Sequence, residues 1–212
     1  MTNFIPIFPL EIVVYPGEFL NLHIFEEKYK QLITDCYAEA KPFGIPAVLN
    51  KEVAEMGTLV DIIEITEVME DGKMNIRTKG NTIFKVLELV KEIPDKLYSG
   101  AIVNYPVNFE QSQPTISAQI LNSIDTLYQI LNIQKDFKKA PGELLSYDVA
   151  HHIGLNIEEE YELLGLMYES QRLEYLRRHL DKILPIVTNA EKLKEKVRLN
   201  GHFKEIKGFD LK

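Results

Sequence analysis

Thr58-Leu59-Val60-Asp61-Ile62-Ile63-Glu64-Ile65-Thr66-Glu67-Val68, followed by Glu70-Asp71-Gly72-Lys73, is the stretch that decides the fold class. Apolar, β-branched residues alternate with polar ones, the period-2 pattern of a strand with one buried face. The alternation slips at Ile62-Ile63, where the apolar side changes, and this predicts a bulge. Asp71-Gly72 supplies the positive φ angles of a tight turn, so the reading is a hairpin joining 58–69 to 74–79.

Strand signals extend outward on both sides. Phe43-Gly44-Ile45-Pro46-Ala47-Val48-Leu49 precedes the hairpin, and Ile83-Phe84-Lys85-Val86-Leu87-Glu88-Leu89-Val90 and Tyr98-Ser99-Gly100-Ala101-Ile102-Val103-Asn104-Tyr105 follow it. At the N-terminus, Phe4-Ile5-Pro6-Ile7-Phe8-Pro9-Leu10 carries two prolines inside an apolar run, which suits an edge or irregular strand and excludes a helix. Phe19-Leu20-Asn21-Leu22-His23-Ile24-Phe25 is a further strand, and Tyr29, Leu32, Ile33 and Cys36 fall at helical spacing over 26–40. No helical crossovers separate the remaining strands, so a doubly wound sheet is disfavoured and a twisted sheet or partly closed barrel is expected.

Beyond the polar stretch around 108–114 the pattern turns helical. Ile116, Ile120, Ile124, Leu127 and Leu131 form one stripe, and Ser146 to Gly154 reads as a short helix closed by glycine. Glu158-Glu159-Glu160 opens another helix with acids in its first turn. Leu173, Leu176, Leu180, Ile183, Val187, Ala190 and Val197 continue at spacings of three and four, apart from Lys194 at one heptad position, which predicts a long final helix with a kink or break at Pro185. The fold class is therefore α+β: a β-rich lobe over 1–108 with one inserted helix, then a helical lobe over 109–212.

Charge is unevenly distributed. Residues 1–176 hold 14 Lys/Arg against 27 Asp/Glu, while 177–212 hold 10 against 5. An acidic body repels phosphate backbones, so nucleic acid is an unfavoured partner, whereas the basic end suits an acidic surface. The single cysteine excludes an internal disulfide and fits a reducing, cytoplasmic setting. No run of about 18 apolar residues exists to span a bilayer, and no basic leader precedes an apolar one.

Catalytic signatures are missing. There is no phosphate loop, no Gly-x-Ser-x-Gly elbow and no His-Glu-x-x-His. His151-His152 are adjacent, hence about 100° apart on a helix, and read as surface or partly buried histidines rather than metal ligands. Cys36 lies on its helix's apolar stripe and reads as a buried structural thiol. The expectation is a non-enzyme without metal or cofactor.

One resemblance runs through nearly the whole chain. Ile5-Pro6-Ile7-Phe8-Pro9-Leu10, Tyr15-Pro16-Gly17, Leu20-Asn21-Leu22-His23-Ile24-Phe25-Glu26-Glu27-Lys28-Tyr29, Gly57-Thr58, Asp71-Gly72, Gly80 and Phe84-Lys85-Val86 resemble, in order and spacing, the N-terminal substrate-binding domain of Lon-type proteases. Asp148-Val149-Ala150, Leu155-Asn156-Ile157 and Gln171-Arg172-Leu173-Glu174-Tyr175-Leu176 are similar to that domain's helical part. Lys28 and Ile83 stand where the family commonly has arginine. ATPase and Ser-Lys peptidase portions have no counterpart, which reads as a stand-alone member.

The resemblance implies a lobe of pseudouridine-synthase-and-archaeosine-transglycosylase (PUA-like) type joined to a helical bundle. It also implies recognition of unfolded or tagged polypeptides, or an adaptor role toward a protein partner. Tyr15, Phe19, Leu22 and Phe25 lie near the motif and are the candidate polypeptide-binding residues, on an apolar groove or an unpaired strand edge. RNA binding through the β lobe and the basic C-terminal segment is the alternative. The heptad-like final helix permits a homo-oligomer.

Overall fold

The computed structural model describes residues 2–111, 113–134 and 143–203, with side chains as far as residue 198. Six strands are present among them: β1 (Thr2–Pro6), β2 (Phe19–Ile24), β3 (Phe43–Leu49), β4 (Glu52–Val68), β5 (Met74–Val90) and β6 (Gly100–Asn104). Five α-helices accompany them: α1 (Glu27–Ala38), α2 (Pro114–Leu131), α3 (Ser146–Val149), α4 (Ile157–Leu164) and α5 (Glu169–Phe203). A 3₁₀ turn, Ala150–His152, continues α3. The mixed α+β class, with an antiparallel sheet, one helix inserted among the strands and a long final helix, is as the sequence predicts.

The chain forms two compact units. The first takes Met1–Gln111 and Leu145–Arg172, the second Ser112–Leu144 and Leu173–Lys212. A division at 108/109 separates strands from helices by type. The compact units instead follow packing, which assigns the helical stretch 145–172 to the strand-bearing unit.

In the first unit, β4 and β5 are the long hairpin, and the strands run in the order β1-β6-β5-β4-β3, all antiparallel, with β2 also on β5. The expected bulge is present, as a register shift between Ile62 and Glu64, with others nearby on β4. Each extra residue turns the strand and coils the sheet. Residues 74–79 and 83–90, two separate strand signals, are one continuous strand that passes through Gly80. Gly80 has to be glycine, because a Cβ there would be driven into the carbonyl oxygen of Tyr15.

The sheet closes on itself. After β1 the chain turns along the outer edge of β3, where Phe8 donates its N–H to the Gly44 carbonyl at 2.8 Å and Val48 donates to that of Leu10 at 2.8 Å. Ile7 and Leu10 thereby bridge Gly44 and Ala47 in parallel. Pro9 lacks an N–H, so it interrupts this pairing where a regular strand could not tolerate it. Inside, Leu32, Ile33 and Cys36 of α1 join Phe43, Ile45 and Ile76 in one apolar cluster. Each such aliphatic side chain contributes about 1.5–3 kcal/mol by leaving water. Cys36 is part of that core, and burial pushes its thiol up to about 12.

In the second unit, α2 buries Ile120, Ile124 and Leu127 and ends on Asn132 in the left-handed region (φ 53°), whose N–H caps the helix on the carbonyls of Tyr128 and Gln129. α5 runs through Pro185 without a break. Proline removes one N–H and crowds one carbonyl, a local cost that the rest of a long helix absorbs. The stripe expected along it is buried at Leu173, Leu176 and Leu180 only, and Ala190 and Val197 are exposed.

Candidate functional site: a strand edge and its cleft

β2 is hydrogen-bonded along one edge, to residues 74–79 of β5. Among the described residues no strand pairs with its other edge. Its side chains alternate: Leu20, Leu22 and Ile24 face inward, while Phe19, Asn21 and His23 are exposed. β2 thus combines an edge unpaired among the described strands with exposed Phe19 and His23 side chains.

A cleft of about 550 Å³ opens at the start of β2. Ile12, Val13, Phe19 and Leu20 line one wall, and His151 and Glu160 line the other. Its shape depends on the Pro16-Gly17 turn, where Gly17 has φ +83°. That turn is tied to β5 by a reciprocal pair of backbone bonds, Gly17 N–H to the Gly80 carbonyl (2.9 Å) and Gly80 N–H to the Glu18 carbonyl (2.8 Å).

Three side chains lock the two walls together. Tyr15 is fully buried, stacks on Tyr147 with ring centroids 4.9 Å apart, and donates its hydroxyl to the Glu160 carbonyl at 3.1 Å. His151 bridges two carboxylates, with Nε2 3.1 Å from Glu18 Oε2 and Nδ1 2.7 Å from Glu160 Oε1. Burial pushes the imidazole down, but the hydrogen bonds to Glu160 and Glu18 and their charges outweigh it and raise His151 to about 9. The bridge is therefore an ion pair at neutral pH. Glu18 Oε2 also accepts the Tyr15 N–H at 2.9 Å, which closes the turn on itself.

The four candidate residues are distributed as follows. Tyr15 lies in the core behind the cleft, in contact with its lining residues Glu18, Tyr147, His151 and Glu160. Phe19, 53% exposed, lines the cleft, with the Arg77 guanidinium 4.7 Å and the Lys79 ammonium 5.4 Å from its ring centroid. Leu22 faces inward and packs on the core. Phe25, 57% exposed, lies past the end of β2, its ring 6.1 Å from that of His23. The sequence singles out β2 but not the opposing wall. His151 and Glu160 are 9 residues apart in the chain and 133 or more from Glu18, so no local motif announces them.

A second polar cluster holds the helical wall in place. Arg172 and Glu169 are both fully buried and meet at 2.8 Å. Arg172 also reaches Ser146 Oγ (2.9 Å), Asn108 Oδ1 (2.7 Å) and the Leu166 carbonyl (2.6 Å), and stacks over Tyr147 at 4.4 Å. Glu169 accepts both the N–H and the hydroxyl of Ser146, at the start of α3. Among the described residues no group of His, Cys, Asp or Glu could hold a metal, and no helix is long and apolar enough to cross a membrane.

A closed antiparallel sheet with one inserted helix, followed by a short helical segment and a long terminal helix, defines a class of small α+β domain, and comparison with known proteins gives its family. The model of the ATP-dependent protease La (LON) substrate-binding domain matches residues 5–182. The chain belongs to that family. It is 24% identical to a Lon protease of Dictyoglomus thermophilum over 92% of its own length, and spans about a quarter (26%) of that relative. The fold is that of a Lon N-terminal domain protein from Xanthomonas campestris (TM-score 0.64, 24% identity, 83% of this chain and 98% of that one). It is also that of the N-terminal domain of a Mycobacterium avium complex Lon protease (TM-score 0.60, 15% identity, 84% and 98%).

Proposed function

We propose that this chain is a non-catalytic polypeptide-recognition module of the cytoplasm, acting as a substrate-recognition or adaptor domain. In this reading an extended polypeptide segment adds to the free edge of β2 and sets an apolar side chain into the adjoining cleft. The single observation that carries it is the open edge of β2 next to the 550 Å³ cleft. Main-chain hydrogen bonds supply sequence-tolerant affinity, as recognition of unfolded chains requires, and the cleft adds selectivity. The family supports it, because its model is that of a substrate-binding domain and not of an ATPase or a peptidase.

The test is binding of a fluorescently labelled, reduced and alkylated unfolded polypeptide to the full chain. Phe19→Asp changes an exposed side chain at the cleft mouth and is expected to weaken binding at least about tenfold without unfolding the protein. One observation favours the RNA reading: Phe19 is exposed and has two cations near its ring, a combination that suits a stacked base and its phosphate. Salt-sensitive retention of single-stranded RNA, with no retention of unfolded polypeptide, would replace the first reading by the second.

A further inference from the structure

The distal half of α5 carries an apolar ridge separate from its buried stripe. Ile186, Leu193 and Val197 are 60%, 63% and 63% exposed, and Ala190 between them is exposed too. At 3.6 residues per turn these four lie within roughly 60° of one another. Their spacings of four, three and four are those of a coiled-coil seam.

Charge sorts around this ridge. Lys182, Lys194 and Lys196 lie within roughly 90° of its centre on the helical wheel, and all three are exposed. Asp181, Glu191 and Glu195 fall on the far side of the helix, with Asp181 paired to Arg177 at 2.7 Å and Glu191 to Lys194 at 3.2 Å. The three acids of 181–198 are thus all kept off the ridge, and of the bases Lys192 and Arg198 also lie away from it. This sorting leaves an apolar seam with basic shoulders.

We infer that the ridge Ile186, Ala190, Leu193 and Val197 of α5 docks an acidic amphipathic helix of another protein. Seam width and charge select this occupant. A second copy of the chain offers no acid on its own shoulders to pair with Lys182, Lys194 and Lys196, because its remaining shoulder positions are Val187 and Asn189. An anionic bilayer calls for a broad apolar face with bulky aromatic residues, and this ridge is narrow and has none. A helix with leucine in its seam and glutamate on its shoulders satisfies both features.

The probe is a four-heptad synthetic peptide with leucine at both seam positions and glutamate at the shoulders, titrated against the full chain by fluorescence anisotropy. Binding is expected, weakening at least about tenfold as ionic strength rises from about 0.01 to 0.15 M. Leu193→Asp with Val197→Asp should abolish it, and Lys194→Glu with Lys196→Glu should transfer binding to the lysine-shouldered version of the peptide. All four positions are exposed, so unchanged circular dichroism verifies that the variants fold. The inference is overturned if the acidic peptide does not bind, if the wild-type chain sediments as a dimer that Leu193→Asp dissociates, or if only phosphatidylserine vesicles capture the chain.

Discussion

Glu169 accepts two hydrogen bonds from Ser146, 2.7 Å from its N–H and 2.8 Å from its hydroxyl, while Arg172 neutralises the same carboxylate from one helical turn away. This joins the start of α5 to the start of α3, and Asn108 ties the strand-bearing part of the chain to the same guanidinium. Removing one partner leaves a buried charge uncompensated, at a cost of about 3–5 kcal/mol. Arg172→Met is therefore expected to lower the urea midpoint strongly, as measured by circular dichroism. Replacing both residues together, Arg172→Met with Glu169→Leu, should cost less than the single change.

The His151 bridge makes stability depend on pH. Folding raises this imidazole from 6.5 to about 9, so its contribution is complete below pH 6.5 and is lost as pH rises through about 9. Denaturation midpoints of the wild type should fall between pH 6.5 and 9.5 by more than those of His151→Gln, whose profile should be flatter across that window.

Two buried tyrosines that stack on each other should respond differently to loss of their hydroxyls. The Tyr147 hydroxyl is buried with no hydrogen-bond partner among the described residues, whereas that of Tyr15 donates to the Glu160 carbonyl. Tyr147→Phe should be neutral or stabilising, and Tyr15→Phe should cost about 1 kcal/mol. Thermal melts of the two variants distinguish them.

Gly80→Ala introduces a methyl group against the backbone of Tyr15, not against a side chain that could move. A loss of roughly 1–3 kcal/mol is expected, as for overpacking elsewhere in proteins. The same change displaces the Pro16-Gly17 turn that shapes the cleft, so polypeptide affinity should fall with stability.

Much of this architecture was legible from local pattern. The Asp71-Gly72 turn, the slip at Ile62-Ile63 and the stripe on α1 are encoded within a few residues, and each appears where the pattern puts it. Less legible was anything made across the chain. The closure of the sheet by residues 7–10 on β3 uses backbone groups, which leave no side-chain signature. Arg172 sits inside a family motif with Glu169 one turn before it, a spacing equally common on exposed helix faces, and its other partners Asn108 and Ser146 are 64 and 26 residues away. Of the candidate residues, Phe19 and Phe25 are accessible while Tyr15 and Leu22 serve packing, a split set by the alternation of β2 and the fold behind it.

Amide hydrogen exchange along β2 tests polypeptide recognition most directly. If an extended segment adds to the open edge, residues 19–24 gain protection on addition of an unfolded polypeptide, and the gain disappears in Phe19→Asp. Protection that appears elsewhere while residues 19–24 exchange as in the free protein would contradict the account.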